Sequence, residues 1–399
     1  MRIGFLFNHD QIHQVAHSLP IALALAQSGF GAEVIVATTN ARISAEVDRL
    51  TPAGVPLSRI ELRPKSVSSL TLSRAFGCLF PAAKLLVYRD NLEFFRSLDA
   101  LVVTERTSLI LKTHYGLTKP TMILSDHGAG DRAIGFGAST ALFDHVLAAG
   151  PKIHDRLIHD AGVDPARLTI TGYPKFDAVP SGARTLPIQA NGRPTVVYNP
   201  HSSPHLSSWY RQGRAVLDFF LHNPRYNLIF APHIMMFQRP LVVTIDRFRI
   251  GRPGRIAPRY WQAPNIQIDF GSVASTDMSY SDAADIYLGD VSSQVYEFLR
   301  TPRPCIFLNA NAAQHQNDPN YAHWQMGSVI GSADHLDKAL DEAASLHNSR
   351  YRQIQQSLFD YTFDLTDVPS GVRAARTIIA LVGPISSSHR ARKGLAAIA

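Results

Sequence analysis

The chain has 399 residues, room for two ordinary domains, and its 45% hydrophobic and 18% charged residues exclude a disordered or low-complexity chain. A formal net charge of +7 favours anionic partners, but Lys and Arg are scattered. No zinc-finger spacing, RNP-like aromatic motif or heptad zipper marks a nucleic-acid module.

Two distant cysteines in apolar contexts, Cys78 and Cys305, predict a reducing compartment and no disulfide framework. The opening MRIGFLFNHD enters a strand pattern with no signal-peptide layout, and no stretch is long and apolar enough to span a bilayer. The expected setting is the cytoplasm, with the inner face of the cell membrane as a possible workplace.

Residues 3–7 form an apolar run ending at Asn8-His9-Asp10, then a helical pattern runs to Gln27. Gly29-Phe30-Gly31 breaks it, and residues 32–37 read as a buried strand, completing a βαβ unit. Residues 64–98 mix apolar residues with Lys65, Arg74, Lys84, Arg89 and Arg96. They fit either an ordinary surface helix pair or an amphipathic pair lying on an anionic membrane.

Strand patterns follow at 100–104, 121–124, 145–149 and 168–171, with a helix to about Tyr115. The Pro-, Gly- and Ala-rich stretch 179–194 reads as a linker between an acceptor-side domain, 1–178, and a nucleotide-donor domain, 195–370. In the second domain, strands are expected at 195–198, 227–231, 266–270, 286–288 and 305–308. A helix over 371–385 is expected to pack back on the first domain, with 386–399 a frayed tail. This alternation predicts an α/β protein: two Rossmann-like doubly wound domains facing a central cleft.

Ligands of such sheets bind at the carboxyl ends of strands, so the residues just past each predicted strand are the candidates. They are His9; Glu105; Asp126-His127-Gly128; Gly172-Tyr173-Pro174; Asn199 with His201, Ser202 and Ser203; Pro232-His233; and Asp290 to Ser293. The turn Gly289-Asp290-Val291-Ser292-Ser293, opening a predicted helix over 294–300, would point bare N–H groups at a phosphate. The same serines would also serve as plain helix caps.

Four stretches carry a resemblance: SDHGAG (125–130), LTITGYPKFD (168–177), TVVYNPHSS (195–203) and ADIYLGDVSSQVYEFLRTPRPCIF (284–307). In order and spacing they resemble the CDP-glycerol glycerophosphotransferases, the teichoic-acid primase and polymerase family of the GT-B fold. The resemblance spans 101–308; the first hundred residues match only as a generic GT-B half. It implies transfer of glycerol phosphate, a related polyol phosphate or a sugar. The donor would be a CDP- or UDP-type nucleotide and the acceptor a polysaccharide or lipid-linked molecule. It implies no cofactor and no catalytic metal.

By the same resemblance His127 is the catalytic base and His233 stabilises the leaving nucleotide. Asp290, Ser292, Ser293, Glu297, His201, Ser202, Ser203, Gly172, Tyr173 and Pro174 face the nucleotide or its diphosphate. His9, His13, Glu105 and Gly128 lie on the acceptor side. Two departures fall in these loops: the family's Thr-Pro-type loop is Ala129-Gly130-Asp131-Arg132 here, and Val291 replaces a usual aromatic.

Other readings stay open. His9, His13 and His17 share a helical face at metal-ligand spacing, with acceptor lining as the alternative. Arg247, Arg249, Arg252, Arg255 and Arg259 lie in a Gly- and Pro-rich loop that would clamp anions or simply be solvated. The UDP-N-acetylglucosamine 2-epimerases share the fold, and a nucleotide-binding scaffold without turnover is a third class. Ser292-Ser293, where those epimerases carry Gly-Gly, favours the transferase.

Overall fold

A computed structural model of the protein describes residues 1–8, 11–65, 82–179, 182, 184–244 and 249–383. Two compact units are present. The first takes the described residues of 1–128, 136–180 and 361–399, and the second those of 129–135 and 181–360.

The first unit is built on a seven-stranded parallel sheet. Its strands are β1 (Arg2–Phe7), β2 (Glu33–Thr38), β3 (Ser58–Glu61), β4 (Ala100–Val103), β5 (Thr121–Ser125), β6 (His145–Ala148) and β7 (Leu168–Ile170). Their spatial order is β3-β2-β1-β4-β5-β6-β7. The central strands are continuous apolar runs, as in Ala-Leu-Val-Val of β4, because helices cover both faces. Ile3, Phe5, Val34, Val102 and Ile123 form the core with Ala374, Ile378 and Ile379. Those last three belong to the helix Ser370–Val382, which packs on the helix Leu19–Gln27.

The second unit repeats the plan with six parallel strands: β8 (Thr195–Asn199), β9 (Asn227–Phe230), β12 (Ile266–Ile268), β13 (Ile286–Gly289), β14 (Cys305–Leu308) and β15 (Ser328–Ile330). The order is β12-β9-β8-β13-β14-β15. An antiparallel pair, β10 (Val242–Thr244) and β11 (Arg249–Gly251), stands apart from this sheet. In both units the strand order reverses beside the first strand: β1 lies between β2 and β4, and β8 between β9 and β13. That reversal is where doubly wound sheets open a crevice for ligands. The α/β class and the Rossmann-like sheets are therefore as the sequence predicts.

Several local expectations are corrected. The helix predicted to run unbroken to Gln27 divides at Ser18 into a 3-10 segment, Ile12–His17, and the helix Leu19–Gln27. Pro20 explains the break, since a residue without an N–H suits only a first turn. The helix predicted over 294–300 is shorter, Gln294–Phe298, because Thr301 precedes Pro302 and is biased away from the helical region. Strands β3, β10, β11 and β15 were not expected: β3 is exposed throughout and β15 has only three residues, whereas β10 continues a visible Leu241-Val242-Val243 run.

His9, Cys78, Arg74, Arg247 and the tail 386–399 lie outside the described residues. Of the stretch 64–98, the described part holds the helices Ala82–Asp90 and Leu92–Arg96. No helix among the described residues is long and apolar enough to cross a membrane.

Candidate active site

In the first unit the candidate chemistry gathers past β4 and β5. The ring Nδ1 of His127 lies 2.7 Å from the carbonyl oxygen of Thr104, the residue after β4. A carbonyl only accepts, so Nδ1 carries a proton, and the neutral tautomer compatible with this contact is the one whose bare nitrogen is Nε2. The His127 backbone N–H donates to Asp126 Oδ1 at 2.8 Å, while Asp126 Oδ2 accepts from Arg106 at 2.7 Å. The backbone and the ring are thus fixed separately. Gly128 has φ 111°, a conformation a side chain would strain, so the turn after His127 needs glycine.

The rings of His13 and His17 stand edge-on to His127, with centroids 6.1 and 6.4 Å away. The four-residue spacing read from the sequence does bring these histidines together. Among the described residues, however, no cluster of His, Cys, Asp or Glu is arranged to hold a metal ion. Glu105 forms an ion pair with Lys84 and accepts from Thr107 Oγ1 at 2.6 Å.

Gly172, Tyr173 and Pro174 belong to this unit, whereas Ser292 and Ser293 belong to the other. The Tyr173 ring is buried against Phe176 and Phe363, at 4.8 and 4.9 Å, and meets His17 at 5.2 Å. Its ring serves packing, and Pro174 caps the short helix Lys175–Ala178.

In the second unit the loops after β9, β8 and β13 are knitted together at the sheet's reversal point. Asp290 is fully buried, and its carboxylate accepts from the backbone N–H groups of His201, Ser208 and Val291 and from Ser208 Oγ. Burial pushes its carboxyl up, against the pull of those four hydrogen bonds. Asp290 therefore binds the loops to each other. Ser292 Oγ donates to Asn199 Oδ1 at 2.7 Å, tying β13's turn to the end of β8, while Ser293 is exposed. Glu297 is buried within the helix Gln294–Phe298.

His201 and His233 stand side by side, ring centroids 5.5 Å apart. The N–H of Ser203 donates to His201 Nδ1 at 2.9 Å, and that of Met235 to His233 Nδ1 at 3.3 Å. Both rings therefore carry a donor at Nε2, the opposite arrangement to His127. Burial first, then the positive charge of Arg132, then His233 and His205, push His201 well below the ordinary imidazole range. It is a neutral donor at working pH.

Arg132 reaches this unit through Ala129–Gly135, an excursion of the chain that begins directly after Gly128. Gly130 backs onto Ser293; a Cβ there would fall 2.9 Å from the serine Cβ. Asp131 is buried and accepts from Tyr296 Oη at 2.8 and 2.9 Å and from His323 Nδ1 at 2.8 Å. His323 Nε2 and Trp324 Nε1 reach the carbonyl of Asp290 at 3.0 and 2.9 Å. Asp131, Arg132, Ser208, His323 and the Thr104 carbonyl are what sequence reasoning missed. Arg132 and Asp131 were visible only as a departure from a pattern, and His323 in NYAHWQM carries no signal at all.

A cavity of about 490 Å³ lies elsewhere on the second unit, lined by Asp218, His222, Asp334 and Asp337. It contains none of the strand-end residues and is separate from this chemistry.

Two Rossmann-like units with polar residues gathered at each strand-order reversal define the GT-B class of fold. Among solved structures, the wall teichoic acid polymerase TagF is similar, with a TM-score of 0.56 at 14% identity over 96% of this chain and 88% of that one. S. aureus MnaA with UDP is similar with a TM-score of 0.59 at 13% identity, over 95% of each chain. A Listeria monocytogenes protein assigned as UDP-N-acetylglucosamine 2-epimerase gives 0.57 at 13% identity, over 95% of each. No family model and no curated protein matches the sequence. These likenesses establish the fold, and both families weighed from the sequence are among the neighbours.

Proposed function

We propose that this protein is a nucleotide-dependent transferase. It moves glycerol phosphate, or a related polyol phosphate or sugar, from a CDP- or UDP-type donor to a polysaccharide or lipid-linked acceptor. The observation that carries this reading is the pair of Nε2–H donors on His201 and His233, ring centroids 5.5 Å apart, in the loops after β8 and β9 of the second unit.

An acceptor hydroxyl must lose its proton as its oxygen attacks. The Nε2 lone pair of His127 takes that proton. Negative charge then builds on the departing nucleotide. The Nε2–H groups of His201 and His233, with the Arg132 cation and the exposed Ser293, supply donors to that charge. The helix Gln294–Phe298 has only five residues and contributes little dipole of its own, so side chains and turn N–H groups carry the anion. The neighbours support a nucleotide donor: TagF has been soaked with CDPG and MnaA holds UDP.

The test is product identity. Incubation with CDP-glycerol and an acceptor releases CMP on transfer of glycerol phosphate, whereas a UDP-sugar releases UDP on sugar transfer. Conversion of a UDP-sugar without any acceptor would favour the epimerase reading instead. No turnover with any donor that binds would favour a scaffold.

A further inference from the structure

We infer that Asp126 is a positioning residue for His127, and that its carboxylate is the counter-charge for the imidazolium His127 becomes on taking the acceptor's proton. The inference rests on the reading of His127 as the base. Asp126 directly follows β5. Its Oδ1 accepts from the His127 backbone N–H at 2.8 Å and lies 3.4 Å from Nδ1 of the same residue's ring. The Thr104 carbonyl is the nearer partner of Nδ1, at 2.7 Å. A carbonyl directs the Nδ1 proton but carries no net charge. A carboxylate does, and an opposite charge at this range favours the charged ring.

Arg106 holds that carboxylate in place. It donates to the other oxygen, Oδ2, at 2.7 Å, which leaves Oδ1 turned to His127. The Nε of Arg106 donates to Thr140 Oγ1 at 2.8 Å, and Thr140 is fully buried. The guanidinium is thus fixed at two points, which its rigid fork allows and a lysine does not reproduce. Arg106 lies in the loop after β4, Asp126 in the loop after β5, and Thr140 in the segment Ala138–Leu142 before β6. These three strands are neighbours in the sheet of the first unit, so the sheet itself sets where the carboxylate stands.

The proton count gives the carboxylate its role. The acceptor's O–H bond breaks, its proton goes to Nε2 of His127, and its oxygen bonds to the transferred group. The nucleotide leaves with the electron pair of the bond that breaks. His127 then holds protons on both ring nitrogens. Asp126 takes up none of them; it lowers the cost of the positive charge next to it.

A double-mutant cycle on the full chain tests it, read as kcat and KM with the nucleotide donor that is turned over. Asp126→Asn keeps the shape and removes the charge. It should lower kcat by about tenfold or more, with KM within about twofold of wild type. In a His127→Ala background the same substitution should change the residual turnover by less than about twofold, because no imidazolium forms there. A carboxylate that only held the fold together would lower both backgrounds alike, and that result would overturn the inference. So would a wild-type kcat in Asp126→Asn, or a loss that appears in KM alone. A thermal melt shows whether each variant folds. Should Asp126→Asn fail to, Arg106→Met, which frees the carboxylate from its anchor, decides by the same comparison of backgrounds. The failure of the underlying reading looks different: His127→Ala alone would then turn over like wild type.

Discussion

The carboxylate of Asp131 lies 2.8 Å from Nδ1 of His323, and the opposite nitrogen of that ring lies 3.0 Å from the backbone carbonyl of Asp290. Both partners are buried. One side chain from a seven-residue excursion thus braces, through an imidazole, the turn that ends β13. Removing one member of a buried pair leaves the other uncompensated. Asp131→Ala should therefore lower stability by about 3–5 kcal/mol, whereas Tyr296→Phe, which removes one hydroxyl from the same carboxylate, should cost about 1 kcal/mol. Urea unfolding of the two variants beside wild type measures this.

His127→Ala should reduce turnover at least about a hundredfold, the scale of a lost general base, with nucleotide affinity close to wild type. His127→Asn is the sharper variant. Its amide can still donate toward the Thr104 carbonyl but offers no lone pair at the Nε2 position, so turnover should fall as far. Steady-state rates with matched calorimetric titrations check both, and near-wild-type turnover would remove His127 from the mechanism.

The two serines should separate. Ser292 Oγ is bound to Asn199, so Ser292→Ala should cost about 1 kcal/mol of stability. Ser293 is exposed, so Ser293→Ala should leave the melting point unchanged and weaken nucleotide binding. The opposite assignment would show that the hydroxyl facing the ligand is that of Ser292.

Stability should depend on His201 below neutral pH. Its folded value is depressed well below the ordinary 6.5, so the unfolded chain takes up a proton the folded chain refuses. Nothing is lost above 6.5. As the pH falls from 6.5 toward the folded value, stability drops by up to about 1.4 kcal/mol per pH unit. His201→Gln should remove that slope, leaving the smaller contributions of His145 and His347, which burial also lowers. Asp290 acts in the reverse sense in a more acidic window. Its carboxyl is raised above 3.8, so stability is gained as the pH falls through the folded value toward 3.8. Unfolding free energies of wild type and His201→Gln across pH 5 to 8 give the comparison.

The buried parallel strands were legible because a strand covered on both faces must be an unbroken apolar run, as in β4, β9 and β13. Strand-end histidines were legible for the same reason, since polar residues directly after such runs stand out. Three things were not. Edge strands such as β3 bury nothing and leave no pattern. The excursion of Ala129–Gly135 is a long-range event that local periodicity does not encode. The tautomers of His127, His201 and His233 are set by backbone groups of Thr104, Ser203 and Met235, which every residue carries and which sequence alone does not orient.

The central claim is that the second unit holds a nucleotide's diphosphate where β8 and β13 end. A crystal structure of the protein with CDP or UDP tests it most directly. The account predicts phosphate oxygens within hydrogen-bond reach of Nε2 of His201 and of the exposed hydroxyl of Ser293. A well-ordered nucleotide whose phosphates rest on other residues, with both of these untouched, would contradict it.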